Sequence, residues 1–445
     1  MSRRALLFGA GGLVITTGGV AAWLATGSNR SGSPSSSRAS SPSSTTSTPT
    51  APASTALVPD PAAAAPVTPP STPATATDRV LVVVQLSGGN DALNTLVPVV
   101  GGYHDARPSL GLADESLLVV PGDAALGLHP ALAPLAPFLA DGRLGVVAGV
   151  GFEQPDRSHF AALDMWCSAA PDQTFRTGWL GRWLDLAVID ADADLTGATA
   201  GLLSAIGLGG AVPALRAERV QAIGVGKIDR FVLPSGDPGL VDAWAGLGGA
   251  HTAARLATDI FAELAAATAG DDTGSAPGDG DRVTDRLAVA AELIVTRPDV
   301  RVVHVTMGSF DTHANQLDTH AGLLGELAQG LATFQQRIDD AGMSDRVLVI
   351  TTSEFGRRIA ENGSGGTDHG KAGVLFVLGG AVQTEGTAVF GSIDPGDLVD
   401  GDLRPVVDPR SAYASALDWL SIDPSGAIAD TVVGGGFERL PFLTP

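Results

Sequence analysis

Six short and almost uninterrupted apolar runs recur along the chain, with segments of helical periodicity between them. The runs are Arg79–Leu86, Leu144–Val150, Val220–Val225, Val302–Met307, Val347–Thr352 and Val374–Leu378. A strand covered on both faces reads as continuous Val, Ile and Leu rather than as alternation. Pro130–Ala140, His159–Ala169, Trp179–Ile189, His251–Ala267, Val283–Val295 and His320–Ala341 space their apolar residues as helices do, and Ser411–Leu420 closes the series. Gly342 stands where a helix beginning at His320 would be capped. Strands alternating with helices predict an α/β fold, with a mostly parallel central sheet and helices on both faces.

Not all 445 residues belong to that pattern. Residues 1–27 open with Ser2-Arg3-Arg4-Ala5-Leu6-Leu7 and run apolar to Ala25, which reads as a twin-arginine export signal or a retained N-terminal anchor. Residues 28–77 are nearly all Ser, Thr, Pro and Ala. Such a stretch buries too little apolar surface to offset its ordering entropy, so it reads as a disordered tether. Residues 78–445 are then one α/β hydrolase-like domain, with a flexible Gly/Asp-rich loop expected at 270–281. No second apolar run is long enough to span a bilayer, so any membrane contact is through the N-terminal segment. The single cysteine, Cys167, rules out an internal disulfide. A net charge of −21, with Lys227 and Lys371 the only lysines, argues against a nucleic-acid partner. It suits an exported protein working outside the cytoplasm.

Three strand ends carry chemistry. Ser87-Gly88-Gly89-Asn90-Asp91 follows the first run, and its glycines allow a sharp turn and close approach. Asp91 either points into the mouth of the sheet or serves as a turn former. After the fourth run come Asp311-Thr312-His313, with His320 seven residues on, which returns to the same face if one helix is continuous. After the fifth come Ser353-Glu354-Phe355-Gly356-Arg357, then a Gly-rich segment at Gly363–Gly366, expected to be mobile, delivering Asp368 and His369. Carboxylates and imidazoles at strand ends suit a divalent metal, with zinc, manganese and calcium all consistent. Glu354 is a candidate ligand or general base, and Arg357 a candidate clamp for an anionic group. Ser158, ahead of the helix at His159, is either an N-cap or a nucleophile poised at a helix N-terminus.

These segments together resemble the twin-arginine-exported family that carries domain of unknown function 1501. The likeness rests on Leu86–Thr95, Arg107-Pro108, Leu128-His129-Pro130, Arg157-Ser158-His159-Phe160 and Gly178–Arg182. It continues through Phe310-Asp311-Thr312-His313 with Gln316, Ser353–Arg357 and Gly366–Gly370. More distantly the order is similar to the alkaline phosphatase, sulfatase and phosphoglycerate mutase superfamily. That resemblance implies a sandwich with a two-metal site. Asp91 would be the early ligand, Ser158 the nucleophile, Asp311 with His313 or His320 the ligands of one metal, and His369 a late ligand. Where that superfamily commonly has Asp-His after a strand, this chain has Glu354-Phe355. One ion, an unusual pair of ions, or a site that binds without catalysing all follow from that departure.

Three functions therefore compete. The first is an exported metal-dependent hydrolase of phosphate or sulfate esters, acting on a small anionic ester or a surface polymer. The second is an exported binding protein on the same scaffold. The third, a metal-free serine esterase, lacks both a Gly-x-Ser-x-Gly elbow and a Gly-Asp-Ser block.

Overall fold

The computed structural model describes residues 12–17, 20–25, 78–172, 174–187, 204–210, 212–220, 222–226, 282–384 and 386–443. The expected tether, the expected helix at His251–Ala267 and the loop at 270–281 lie outside the described residues.

Eight strands from Val80 onward build the central sheet. They are β1 (Val80–Leu86), β2 (Leu144–Val150), β3 (Ala205–Leu208), β4 (Ala222–Val225), β5 (Val302–Met307), β6 (Val347–Thr352), β7 (Gly373–Leu378) and β8 (Val389–Gly391). Their order is β8-β2-β7-β6-β1-β5-β3-β4. Neighbours pair in parallel except at β7, which runs against both β6 and β2. Gly12–Thr17 pairs antiparallel with the outer edge of β4, and Val20–Ala25 with Gly12–Thr17. The mostly parallel sheet expected from the sequence is thus present. β3 and β8 escaped sequence reading because four and three residues carry too little pattern to stand out.

Side-chain alternation sorts the core into two halves. Val80, Val82, Val84 and Leu86 of β1 face helices α3 (Val283–Thr296) and α4 (Gln316–Asp340). Leu81 and Val83 face α1 (His159–Ser168), α2 (Trp179–Ala187), α5 (Pro409–Ser421) and α6 (Ala427–Val433). In α4 the buried Leu324, Leu327, Leu331, Phe334 and Ile338 recur every three to four residues, which fixes the face it presents. Gly342 caps α4 in a left-handed conformation: its N–H bonds the Asp339 carbonyl at 2.9 Å and that of Met343 the Ile338 carbonyl at 3.0 Å. On the other face the rings of Trp179 and Tyr413 stack at 4.4 Å and lock α2 to α5.

Because β1, β2, β5 and β6 run the same way, their carboxyl ends open on one edge of the sheet. β7 starts from that edge. The loops that leave it carry every strand-end motif.

Two buried imidazoles make this core sensitive to acid. His304 of β5 and His129, just before the 3₁₀ turn at Pro130–Leu135, are both almost fully buried. Burial pushes His304 down to about 3 and His129 down to about 4, the latter against the opposing pull of Asp91. Both folded values lie below the ordinary imidazole range. The stability they allow is therefore complete above pH 6.5 and is lost as pH falls from there toward about 4 for His129 and about 3 for His304. Each site should cost about 2 kcal/mol at pH 5. Urea unfolding should show a lower midpoint at pH 5 than at pH 7, and His304→Gln should shrink the difference. An equal pH dependence in wild type and variant would show that His304 takes up its proton alike in the folded and unfolded chains.

Candidate metal centre

The turn after β1 is the floor of the site. Gly88 and Gly89 sit at φ of 117° and 83°. A Cβ at Gly88 would overlap the backbone of Phe310 and Asp311, and one at Gly89 would enter the Phe355 ring. Only glycine lets the β1, β5 and β6 turns close on one another here.

Arg357 ties those turns together. Its side chain is wholly buried. Nε donates to the Gly89 carbonyl at 2.8 Å, and Nη1 to that of Thr367 at 2.9 Å. Nη2 donates to the carbonyls of Gly88 and Phe310 and to Asp311 Oδ1, the last at 2.7 Å. The sequence suggested a clamp for an anionic substrate. The structure commits the guanidinium to backbone and to Asp311, so Arg357 is a positioning residue. Its carboxylate partner is Asp311.

Above it three imidazoles converge on one carboxylate. His159 Nε2 lies 3.4 Å from Asp311 Oδ2. The Nε2 atoms of His313 and His369 each lie 3.1 Å from Asp311 Oδ1, and 2.9 Å from each other. Each ring also has an acceptor behind it. His159 Nδ1 is 3.0 Å from Glu354 Oε1, His369 Nδ1 is 2.8 Å from the Arg157 carbonyl, and His313 Nδ1 is 3.3 Å from Asp368 Oδ1. A carbonyl or carboxylate only accepts, so each Nδ1 donates and each Nε2 turns a lone pair inward. Four pairs of these atoms lie 2.9–3.4 Å apart, near the spacing of about 3.3 Å that neighbouring ligands keep around an ion held at about 2.0–2.1 Å. His159, Asp311 and His369 each offer a ligand atom within 4.8 Å of the other two. The donor chemistry and the backing acceptors fit a divalent cation.

Burial pushes the Asp311 carboxyl up, but the Arg357 guanidinium bonded to it, with the His369 ring alongside, outweighs burial and brings it down to about 2. Burial lowers His369, against the Arg157 carbonyl and Asp311, which raise it. Both shifts favour a carboxylate beside a neutral imidazole, the forms that bind metal.

Glu354 Oε1 also accepts the Gly88 N–H at 2.6 Å, so this buried carboxylate holds His159 and the β1 turn together. Asp368 is exposed and reaches the cluster only through His313. The Gly363–Gly366 segment, expected to be mobile, is a hydrogen-bonded turn of a hairpin between Arg357–Glu361 and Thr367–His369. Asn362 pins it: its Oδ1 accepts from the N–H groups of Ser364 and Gly366, and its Nδ2 donates to the His313 carbonyl. Ser158 precedes α1 with its side chain outside any cap and exposed.

Asp91 and His320 do not join the cluster. Asp91 caps the short helix Ala92–Thr95 and forms a two-pronged pair with Arg107 at 2.6 and 3.0 Å, with both side chains fully buried. Gln316 Nε2 also donates to it. Burial alone would raise Asp91, yet Arg107 holds it below the usual carboxylate range. His320 lies in α4, bonded through Nε2 to Asn90 Oδ1 at 2.9 Å, and burial pushes it down to about 4. The expected continuity from His313 fails because Asn315 adopts a left-handed conformation (φ 49°) before α4 begins. His159 was missed as a ligand. As the first residue after an N-cap serine it reads as a helix start, and only its place beside Arg157-Ser158 hints at more.

The comparisons with known proteins add the following. Residues 245–428 match the family of proteins of unknown function DUF1501. That span holds Asp311, His313, Glu354, Arg357 and His369, whereas Asp91, Ser158 and His159 precede it. No curated protein matches by sequence. Similar solved structures include a protein in the alkaline phosphatase superfamily from Vibrio parahaemolyticus. It is 10% identical with a TM-score of 0.36, over 77% of this chain and 66% of that one. This chain thus spans just under two thirds of that structure's length. The soluble domain of lipooligosaccharide phosphoethanolamine transferase A from Neisseria meningitidis is also 10% identical at 0.36, over 78% and 89%. The C-terminal periplasmic domain of EcEptC from Escherichia coli, in complex with Zn, is 8% identical at 0.34, over 68% and 73%. At such scores the likeness is no guide to activity.

Arg357→Lys should lower stability by about 3 kcal/mol, because an ammonium cannot reproduce a planar fork shared among five acceptors. Denaturant unfolding at pH 7 measures it. A change under about 0.5 kcal/mol, the range of ordinary surface substitutions, would show that the staple is dispensable.

Proposed function

We propose that this chain is an exported, metal-dependent hydrolase of phosphate or sulfate esters. One observation carries the reading: three imidazoles, each backed at Nδ1 by an acceptor, turn Nε2 toward Asp311. His159, Asp311 and His369, with His313 alongside, would hold the cation. A set dominated by imidazole favours zinc over calcium, which prefers six to eight oxygens. Held there, a divalent ion supplies Lewis-acid polarisation of an ester oxygen.

The chain's own residues then divide the work. Glu354 keeps His159 in one tautomer by accepting from Nδ1, and the Arg157 carbonyl does the same for His369. Asp311, with 45% of its side chain exposed, marks the open side from which substrate arrives. Ser158 is exposed next to His159 at the start of α1, its hydroxyl uncommitted to the helix, and is the candidate nucleophile. The substrate would be a small anionic ester or an anionic group on a surface polymer. The twin arginines of Arg3-Arg4 support export, by a route that carries folded protein and so a metal loaded beforehand. Among the described residues no helix is long and apolar enough to cross a membrane. A second reading, binding without turnover, draws on Phe355, whose ring packs 5.0 Å from that of His159 and 4.3 Å from that of His369.

Protein purified without chelators should carry zinc by elemental analysis, and added zinc should raise the melting temperature of the stripped protein. It should hydrolyse an aryl phosphate or aryl sulfate. Ser158→Ala should slow this at least 100-fold with the melting temperature unchanged. Metal content without turnover of either ester favours the binding protein. If the protein holds no metal, and zinc, manganese and calcium all leave its melting temperature unmoved, the metal reading fails.

A further inference from the structure

We infer that the centre is built for one cation, with the buried guanidinium of Arg357 as the fixed second positive charge beside Asp311. The inference rests on the metal reading above and goes beyond it in fixing the number of ions.

A two-ion site sets its cations about 3.5–4 Å apart and needs ligands enough to surround both. Among the described residues, one group of three candidate ligands clusters closely: His159, Asp311 and His369. Of the other residues of suitable type, His313 turns Nε2 into the same centre with Asp368 behind its ring, while Asp91 and His320 are committed elsewhere. Asp91 Oδ1 accepts from Arg107 Nη2 and from the N–H groups of Leu93 and Asn94. Asp91 Oδ2 accepts from Arg107 Nη1 and from Gln316. An ion taking Asp91 as ligand would leave the Arg107 guanidinium, itself fully buried, facing a cation across a dry core. His320 is turned to Asn90.

The side of Asp311 that meets Arg357 is closed as well. Arg357 Nη2 sits 2.7 Å from Oδ1, and four backbone carbonyls hold the same guanidinium in place. It cannot swing aside without stranding those carbonyls, and a second cation beside it would meet a like charge in a low dielectric. Phe355 fills the space against His159 and His369 where a further ligand would stand. One group needs separate treatment. Glu354 Oε2 is buried without a protein hydrogen-bond partner. It borders a cavity of about 10 Å³ whose walls also include Gln85, Cys167 and His304. That volume admits one water and not an ion with its own shell.

The test is a metal count on the full chain, saturated with zinc, desalted, and measured by native mass spectrometry alongside elemental analysis. One zinc per chain is expected. Two retained per chain would overturn the inference while leaving the metal reading intact. None would overturn the metal reading itself, so the two failures are distinct. Asp311→Asn and His369→Ala should each reduce the count from one to near zero, and His320→Gln and Asp91→Asn should keep it at one. If Asp91→Asn fails to fold, His320→Gln carries the comparison. A folded His320→Gln that loses its zinc would place that residue in the centre and sink the single-ion assignment.

Discussion

One buried guanidinium decides whether the site exists. The ends of parallel strands leave carbonyls with no ladder partner, and where several such ends meet in a dry interior those oxygens must be satisfied. Arg357 does so for the β1 turn, the β5 turn and the strand before His369, and its remaining donor capacity goes to Asp311. The three nitrogens, fixed in one plane, hold five acceptors in a set relation. Glycines at 88 and 89 are the counterpart, since any side chain there would push the turns apart. Arg107 repeats the device one layer down, joining Asp91 and Asn94 to the carbonyls of Arg358 and Ile359. Arg357 anchors the start of the Arg357–Glu361 strand and Arg107 holds the carbonyls of its next two residues, and that strand leads into the turn that returns His369.

Much of this frame was legible in the sequence, and the limits of legibility have physical causes. Continuous apolar runs mark strands buried on both faces, so β1, β2, β5, β6 and β7 stood out. Parallel pairing then places Asp311, His313 and Glu354 on one edge without further information, and His369 joins them because β7 runs antiparallel and starts from that edge. What failed depended on partners distant in sequence or on single dihedrals. Asp91 and Arg107 are sixteen residues apart and meet only because the chain turns back through Tyr103–Ala106. Nothing local says that Asp91 is already spoken for. His320 was grouped with His313 on helical spacing, and one left-handed residue, Asn315, undid it. The Gly-rich turn read as mobile because glycine content is visible and the bonds of Asn362 are not. His159 was obscured by its neighbour, since a serine before a helix explains itself as a cap, and only the structure shows the hydroxyl unused for that purpose.

The acceptors behind the imidazoles matter as much as the imidazoles. A neutral ring offers either nitrogen, and a cluster of three has several arrangements in which lone pairs miss one another. Glu354, the Arg157 carbonyl and Asp368 come from three different segments and remove that freedom. Two of these supports are in turn held. Glu354 is tied to Gly88 N–H, and Arg157 is paired through its side chain with Asp402, a fully buried carboxylate. The chain of support thus runs from the centre into the sheet on one side and to the Leu398–Leu403 hairpin on the other.

Charge at two length scales sets how such a centre would meet its substrate. The chain as a whole carries −21, which draws divalent cations toward it and repels an anionic ester. At physiological ionic strength that field decays over about 8 Å, so the groups at the rim decide the encounter. Arg157, Arg358 and Lys371 stand within two residues of Ser158, His159, Arg357 or His369, and they face two carboxylates, Asp402 and Asp400. Asp156 and Asp368 stand as near on the exposed surface, so the rim is mixed in sign. A cation bound at the centre would supply positive charge where Asp311 opens to solvent. An anionic group reaching this edge would pass from repulsion to attraction within the last few ångströms, and its specificity would then be set by the rim and the centre together, not by the net charge.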